Sequence, residues 1–372
     1  MLEINQYNKV LKNPAVVIAL LDWGMGHTTR SIPIIKHLLE LNYYVIVACN
    51  STQKALLLEE FPKIEYVFLN GYGLNYASSG WRTQLKLIFQ IPKILIKINQ
   101  EHQWLSRYVK QMKVNLLISD NRFGFYSSEI RSIFITHQLG IKSGFGLVVD
   151  RILRSFNYRY INRYSICWVP DFEGQSNLAG ELSHPEKLPA TPLHYLGCLS
   201  RIEPCEALKK ELSFIIIILS GPEPQRTLLE KKILMDAASL SSHLVLVRGL
   251  PGNSEQLNAP SHITVFNHLS ATLLNKYLCS ASYVISRSGY TSIMDYAKIG
   301  VRSILIPTPG QAEQEYLGKY LLQQKFALVI LQKDFELKEA IQKANAFPYK
   351  KTIFQMENYK STIEDSLKSF GC

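Results

Sequence analysis

The chain has 372 residues, 47% of them hydrophobic and 19% charged, with a formal net charge of +11 at pH 7. That length exceeds one ordinary core and suits two domains, and the composition excludes a disordered or low-complexity chain. The positive balance is compatible with nucleic acid, anionic lipid or an anionic small substrate, and equally with a basic solvated surface.

Ala15 to Leu21 is an apolar, β-branched run, read as a buried strand. It delivers Asp22-Trp23-Gly24-Met25-Gly26-His27-Thr28-Thr29-Arg30. A helix is predicted from Ile32 to Leu41, with Pro33 in its first turn, and a second strand from Tyr44 to Ala48. Gly24 and Gly26 suggest a dinucleotide turn, but Thr29 stands where the third glycine belongs. The second strand also ends at Cys49-Asn50 without an acid, so a nicotinamide site is poorly supported. His27 reads either as a cleft residue or as a cap on the helix start.

A helix from Lys54 to Phe61, a strand from Glu65 to Leu69 and a loop from Asn70 to Gly80 follow, the loop being of the kind that can cover a cleft. Trp81 to Lys113 sets Arg82, Lys86, Lys93, Lys97, Arg107, Lys110 and Lys113 against Glu101 alone, among many apolar residues. Such a stretch either lies on an anionic membrane or packs as an ordinary amphipathic helix. The strand Val114 to Ser119 ends at Asp120, placing a carboxylate at the ligand edge of a parallel sheet or at a turn cap. Ser132 to Thr136 delivers His137-Gln138. Arg151 to Tyr164 is basic and aromatic, but no RRM, KH or helix-turn-helix pattern accompanies it, and nucleic acid is not an expected partner. Ile166 to Pro170 reads as the last strand of a first domain covering residues 1–192.

The polar stretch from Asp171 to Thr191 reads as interdomain, and the second domain is expected over 193–350. Phe214 to Leu219 is a buried strand followed by Ser220-Gly221-Pro222-Glu223-Pro224-Gln225-Arg226 and a helix. Strands are predicted at Leu244 to Val247 and Ile263 to Phe266, and a helix at Ala271 to Cys279. Tyr283 to Ser286, the turn Arg287-Ser288-Gly289, a helix ending at Gly300, a strand from Arg302 to Ile306 and a loop carrying Gln311 then give a second strand-helix alternation. A strand from Leu328 to Leu331, a helix from Phe335 to Ala346 and a terminal helix near Ile353 to Ser369 complete the chain, with 351–372 expected to pack back on the first domain. Glycine turns opening helices offer N–H groups and a positive dipole end to an anion. Cys49, Cys167, Cys198, Cys205, Cys279 and Cys372 form no metal-binding spacing and read as buried thiols in a reducing, cytoplasmic setting. Met1 to Asn13 lacks the pattern of a secretory leader, and no apolar run reaches membrane-spanning length.

The Ser-Arg-Ser-Gly turn, the acid Asp295 six positions after Gly289, the Ile-Leu-Ile-Pro strand and the glutamine-bearing loop resemble the donor half of GT-B glycosyltransferases of family 28, the MurG-type group. Gly24-Met25-Gly26-His27 resembles the acceptor-side turn of the same enzymes. The resemblance implies an α/β architecture of two Rossmann-like doubly wound domains facing a cleft. It implies a nucleotide-diphosphate sugar, with UDP-sugar foremost, as donor, and a hydroxyl acceptor, lipid-linked or otherwise. By the same resemblance Asp295 holds the ribose and Gln314, with Gln311 nearby, the sugar. Phe266 and Asn267 lie at the base; Arg201, Ser220, Gly221, Arg226, Ser288, Gly289 and Tyr290 lie around the diphosphate, with Gly24 and Gly26 across from it. His27 is the implied general base and Asp120 its partner. Four departures stand out: Asp295 replaces the usual Glu, Leu317-Gly318 the usual Asn-Ala, Gln138 a Glu, and the proline-bearing loop from Ser220 to Arg226 a glycine-rich one.

No Asp-x-Asp triplet occurs, so metal chelation of the donor is not expected, nor any cofactor. Contact with the inner face of a membrane through residues 81–113 is expected from the lipid-borne acceptor of the MurG type. A UDP-sugar epimerase of the same fold and a non-catalytic nucleotide-sugar-binding subunit are the rival readings.

Overall fold

The computed structural model describes residues 13–73, 80–204, 214–238, 240, 242–350 and 358–371, with 80–89 and 358 described as backbone. Residues 1–12, 74–79 of the expected cleft-covering loop, Cys205, Cys372 and 351–357 of the expected terminal helix lie outside them.

Seven strands form the first sheet: β1 (Ala15–Leu20), β2 (Tyr44–Cys49), β3 (Glu65–Phe68), β4 (Leu116–Asp120), β5 (Arg131–Ile135), β6 (Ile166–Val169) and β7 (Leu193–Tyr195), ordered 3-2-1-4-5-6-7. Six form the second: β8 (Ile215–Ile218), β9 (Leu244–Val247), β10 (Ile263–Phe266), β11 (Tyr283–Ser286), β12 (Ser303–Leu305) and β13 (Ala327–Val329), ordered 10-9-8-11-12-13. Every pairing is parallel. Helices α1 (Gly26–Glu40), α2 (Ser51–Glu60), α3 (Gly80–Gln111) and α4 (Leu147–Ile161) belong to the first sheet; α5 (Gln225–Ala237), α6 (Ala271–Ser280), α7 (Tyr290–Ile299), α8 (Ala312–Gln323) and α9 (Leu337–Ala346) to the second. The last, α10 (Asn358–Ser369), returns to the first.

Strands covered on both faces must be apolar throughout, and all six residues of β1 are buried. In each sheet the strand order reverses beside a central strand, between β1 and β4 and between β8 and β11. Ligands of such sheets bind beyond the carboxyl ends of the strands at these reversals. Asp120 ends β4, and the segments carrying His27, Gly221 and Gly289 follow β1, β8 and β11, so topology alone gathers the candidate residues at these strand ends.

The structure corrects the sequence reading in three places. Leu193–Tyr195 pairs with β6 and completes the first sheet, so Ile166–Pro170 is not its last strand; a three-residue strand with a central histidine gives no apolar run to detect. Helix α1 starts at Gly26, not near Ile32, because Gly24 turns the chain at φ +81°. His27 thus sits in the first helical turn, and Pro33 lies inside the helix. Cys49, Cys167 and Cys198 are buried free thiols, but Cys279, half-buried on α6, is disulfide-bonded.

Helix α10 is anchored on the first domain. Trp168 Nε1 donates to Ser366 Oγ at 3.1 Å, and His37 and Lys360 pair with Glu364 and Glu40. Among the described residues no helix is long and apolar enough to cross a membrane.

Candidate active site

On the first domain the site is a buried knot of charge. Register aligns Leu20 with Asp120, so the Asp120 carboxylate emerges beside the turn that follows β1. It lies 2.9 Å from His27 Nδ1. Arg30, one turn along α1, grips the same carboxylate with a fork: Nε donates to Oδ2 at 2.9 Å and Nη2 to Oδ1. Arg30 Nη2 is also 2.9 Å from His27 Nδ1, and its Nη1 lies 3.2 Å from His137 Nδ1. Asp120 is fully buried, whereas 13% of the His27 side chain remains exposed. Burial pushes Asp120 up, but Arg30 and His27 outweigh it and hold the carboxyl well below the usual range. Burial, then the Arg30 cation, hold His27 below its ordinary value against the pull of Asp120. The imidazole is therefore neutral at physiological pH, as a proton acceptor must be.

The second domain completes this knot. Glu313, in the first turn of α8, places Oε1 2.8 Å from His137 Nε2. Tyr290 stacks on His137 with centroids 4.1 Å apart, and its hydroxyl donates to the Pro170 carbonyl at 2.7 Å. A side chain on Gly26 would come within 2.8 Å of Thr291 Oγ1, so α1 and α7 meet end to end. Thr291 and Asp295 lie four residues apart on one face of α7. Thr291 on that face meets Gly26, the neighbour of His27, and Asp295 bonds Ser200.

The donor side is less satisfied. Arg287 is buried, donates only to the carbonyls of Ile306, Pro307 and Gln225, and has no ion-pair partner among the described residues. Burial drags its guanidinium down to about 10. Its Nε and the Thr308 hydroxyl lack any hydrogen-bond partner among the described residues. Thr308 Oγ1 lies 3.7 Å from where a side chain on Gly221 would begin, and Gly221 needs its φ of +97°. Ser220 and Gly221 are exposed above this cation. A side chain on Gly289 would meet nothing within 4 Å, so the start of α7 is open to a ligand. A buried cation and an unmet hydroxyl close to glycine turns that open helices are surroundings that favour an anion.

Asp295 is tied to the hinge by Ser200 Oγ, and Arg201 and Lys298 act on it electrostatically. Burial lifts its carboxyl to about 6. The structure thus brings Arg201 and Asp295 together.

Several of the expected donor residues are engaged within the protein. The Arg226 guanidinium binds Glu223 at 2.6 Å, Glu230 at 3.3 Å and Thr227 Oγ1 at 2.7 Å. Tyr290 is buried between the domains. Ser288 is fully buried and donates to the Gln314 carbonyl, while Gln314 Oε1 accepts from Thr308 N–H. The Asn267 side chain pins the loop after β9 through Arg248 and the Asn253 and Glu255 carbonyls. The carbonyls of Phe266 and Asn267 accept from Arg248 and Leu250 N–H groups. Gln311 stands half-exposed at the start of α8. Sequence reasoning missed Arg30, Glu313 and the burial of Arg287. The only available signal for Arg30 was its i,i+3 spacing from His27 at the site edge.

Comparison with known proteins places this geometry. Residues 228–369 match the glycosyltransferase family 28 C-terminal domain. A search of curated protein sequences finds no significant match. Three solved structures share the whole architecture. A UDP-glucosyltransferase from Polygonum tinctorium is 14% identical over 98% of this chain and 100% of its own, with a TM-score of 0.64. The glycosyltransferase SnogD from Streptomyces nogalater is 13% identical over 97% and 100%, with a TM-score of 0.63. MurG from Acinetobacter baumannii is 15% identical over 96% and 99%, with a TM-score of 0.58. The fold is that of a two-domain GT-B protein, and the chain is a glycosyltransferase. Its C-terminal part, residues 228–369, carries the family 28 C-terminal domain.

Proposed function

We propose that the protein transfers a sugar, with inversion and without a metal, from a nucleotide-diphosphate sugar, UDP-sugar foremost, to an acceptor hydroxyl. His27 Nε2 takes the hydroxyl proton as the oxygen attacks the anomeric carbon. The bond from that carbon to the diphosphate breaks, and its electron pair leaves with the phosphate. Asp120 orients the ring when Nδ1–H points to it and stabilises the imidazolium that forms. Arg287, Thr308 and the starts of α5 and α7 receive the diphosphate charge, Arg201 assists, and Asp295 accepts from the ribose hydroxyls. The observation that carries this reading is the buried, unpaired Arg287 guanidinium across from a neutral, partly exposed His27. Two cationic sites can then do what a metal does elsewhere.

The acceptor reading is a lipid-linked or cell-envelope hydroxyl at the inner face of a membrane. The exposed Ile91, Leu95 and Ile96 of α3 alternate with Lys93 and Lys97 and support that placement. A thermal-shift panel of nucleotide sugars tests the donor. At about 100 times its Kd the true donor adds roughly 2.7 kcal/mol of stability, and nucleotide release on adding a lipid extract tests transfer. No stabilisation by any nucleotide sugar removes the reading; stabilisation without release leaves the binding subunit, and sugar isomerisation without transfer leaves the epimerase.

A further inference from the structure

The His27 knot contains a conflict. A guanidinium only donates hydrogen bonds, and a carboxylate only accepts them. The 2.9 Å approach of Arg30 Nη2 to His27 Nδ1 fits an imidazole with no proton on Nδ1. The 2.9 Å approach of Asp120 Oδ1 fits one with a proton there. The two bonds exclude each other at any instant, and only the second leaves Nε2 as the base. At His137 no conflict exists: Nδ1 accepts from Arg30 and Nε2–H donates to Glu313. A continuous path of polar contacts therefore runs from the donor domain to the base.

We propose that Arg30 is a positioning residue that competes with His27 for Asp120, and that Glu313 of the donor domain biases this competition through His137. While Arg30 forks onto Asp120, the carboxylate's charge is largely neutralised and supports the imidazolium weakly. Drawing Arg30 toward His137 and Glu313 frees Asp120 Oδ1 for His27 Nδ1–H. The contact between α8 and His137 exists only when the two domains meet, so closure of the cleft and readiness of the base become one event. This deepens the transferase reading and rests on His27 as its base.

The charged and titratable groups facing His27 are Arg30 on its own helix, Asp120 at the end of β4, His137 after β5 and Glu313 at the start of α8. Ring-resolved NMR titration of His27 in the full chain tests the competition without any donor or acceptor. Failure there is thus distinct from failure of the transferase reading, which the donor panel and nucleotide release decide. Arg30→Gln should raise the His27 midpoint by about one pH unit, because Asp120 then faces it alone. Arg30→Lys keeps the charge but loses the fork, and should raise it by less. Glu313→Gln removes a negative charge and should lower the midpoint. If Arg30→Gln does not fold, the opposite signs of the Arg30→Lys and Glu313→Gln shifts decide. Both variants drifting up toward the ordinary value near 6.5 would mean only loosened packing and would overturn the proposal. Unmoved midpoints would overturn it as well.

Discussion

The two halves of the cleft are built on opposite principles. On the first domain Asp120, Arg30 and His137 are already bonded to one another, and Glu313 of the second domain completes the chain, before any ligand arrives. On the second, Arg287 Nε and Thr308 Oγ1 are buried and unmet among the described residues, and Gly289 opens onto empty space. A buried polar group without a partner costs about 1–3 kcal/mol. A donor phosphate that meets both groups recovers that cost on binding. The half around His27 is thus already bonded up in the free protein, whereas the half around Arg287 keeps two buried polar atoms that a ligand could satisfy.

The sharpest way to break this contrast is His27→Ala. It should lower turnover by about 100- to 10,000-fold, as for loss of a general base, with donor affinity retained. Steady-state rates beside a donor-binding isotherm check both. Turnover near that of the wild type would remove His27 from the mechanism. The intact enzyme should also lose rate as pH falls through the depressed His27 midpoint, below about 6.5, and show no such loss above it.

Two arginines of the donor domain test the other half. Arg287→Gln should weaken donor binding by roughly 10- to 100-fold, the worth of a charge-assisted hydrogen bond. Arg226→Met should leave donor affinity alone and instead lower stability by about 3 kcal/mol, since it strips Glu230 of one of its two buried arginine partners. Isothermal titration and urea unfolding separate the two. Equal effects of both variants on donor affinity would erase the distinction between a ligand-facing and a structural cation. Asp295 provides a smaller effect of the same kind. With its carboxyl lifted to about 6, it accepts fully above that pH and loses an acceptor site as it protonates below. Donor affinity should therefore fall severalfold between roughly pH 7 and pH 5, and Asp295→Asn should flatten the dependence.

The legible parts of the molecule were those whose physics is local. Runs such as AVVIAL and IIII announce strands buried on both faces, and an acid at the tip of one, Asp120, announces a sheet edge. What stayed hidden depended on partners far away in sequence. Arg226 and Arg287 look alike as basic residues in polar turns. The acids of Arg226, Glu223 and Glu230, stand at i−3 and i+4 and were legible there, whereas only the fold brings Arg287 to the carbonyls of Gln225, Ile306 and Pro307. Tyr290 follows a glycine at a helix start and so looks like a ligand contact, yet its partner is His137, 153 positions earlier in the chain. Arg30 read as the end of the turn before a helix expected at Ile32, and beyond its i,i+3 spacing from His27 nothing nearby reveals that its three donors converge on Asp120 and two histidines.

The weakest expected effect concerns the outer face of the first domain. Helix α3 exposes Ile91, Leu95 and Ile96, and α4 exposes Leu147, Val148, Ile152 and Phe156. Phe123 joins the two helices, meeting the Tyr160 ring at a 47° tilt and packing in one cluster with Ile94 and Ile98. Lys93, Lys97, Arg151, Arg154 and Arg159 lie among these apolar residues. The acids of the two helices are neutralised or engaged: Glu101 is buried against Arg122, and Asp150 accepts from Ser143. An apolar surface ringed by cations suits an anionic bilayer better than a neutral one, because each cation near the surface adds about 1 kcal/mol. Sedimentation with vesicles should therefore show binding to phosphatidylglycerol-containing membranes that weakens with salt. Ile96→Asp combined with Phe156→Asp should weaken it by roughly tenfold, the loss of partial apolar insertion at two positions. Equal binding to neutral and anionic vesicles, or no binding by the unaltered protein, would return these helices to ordinary solvated surface. The acceptor would then have to reach His27 from solution.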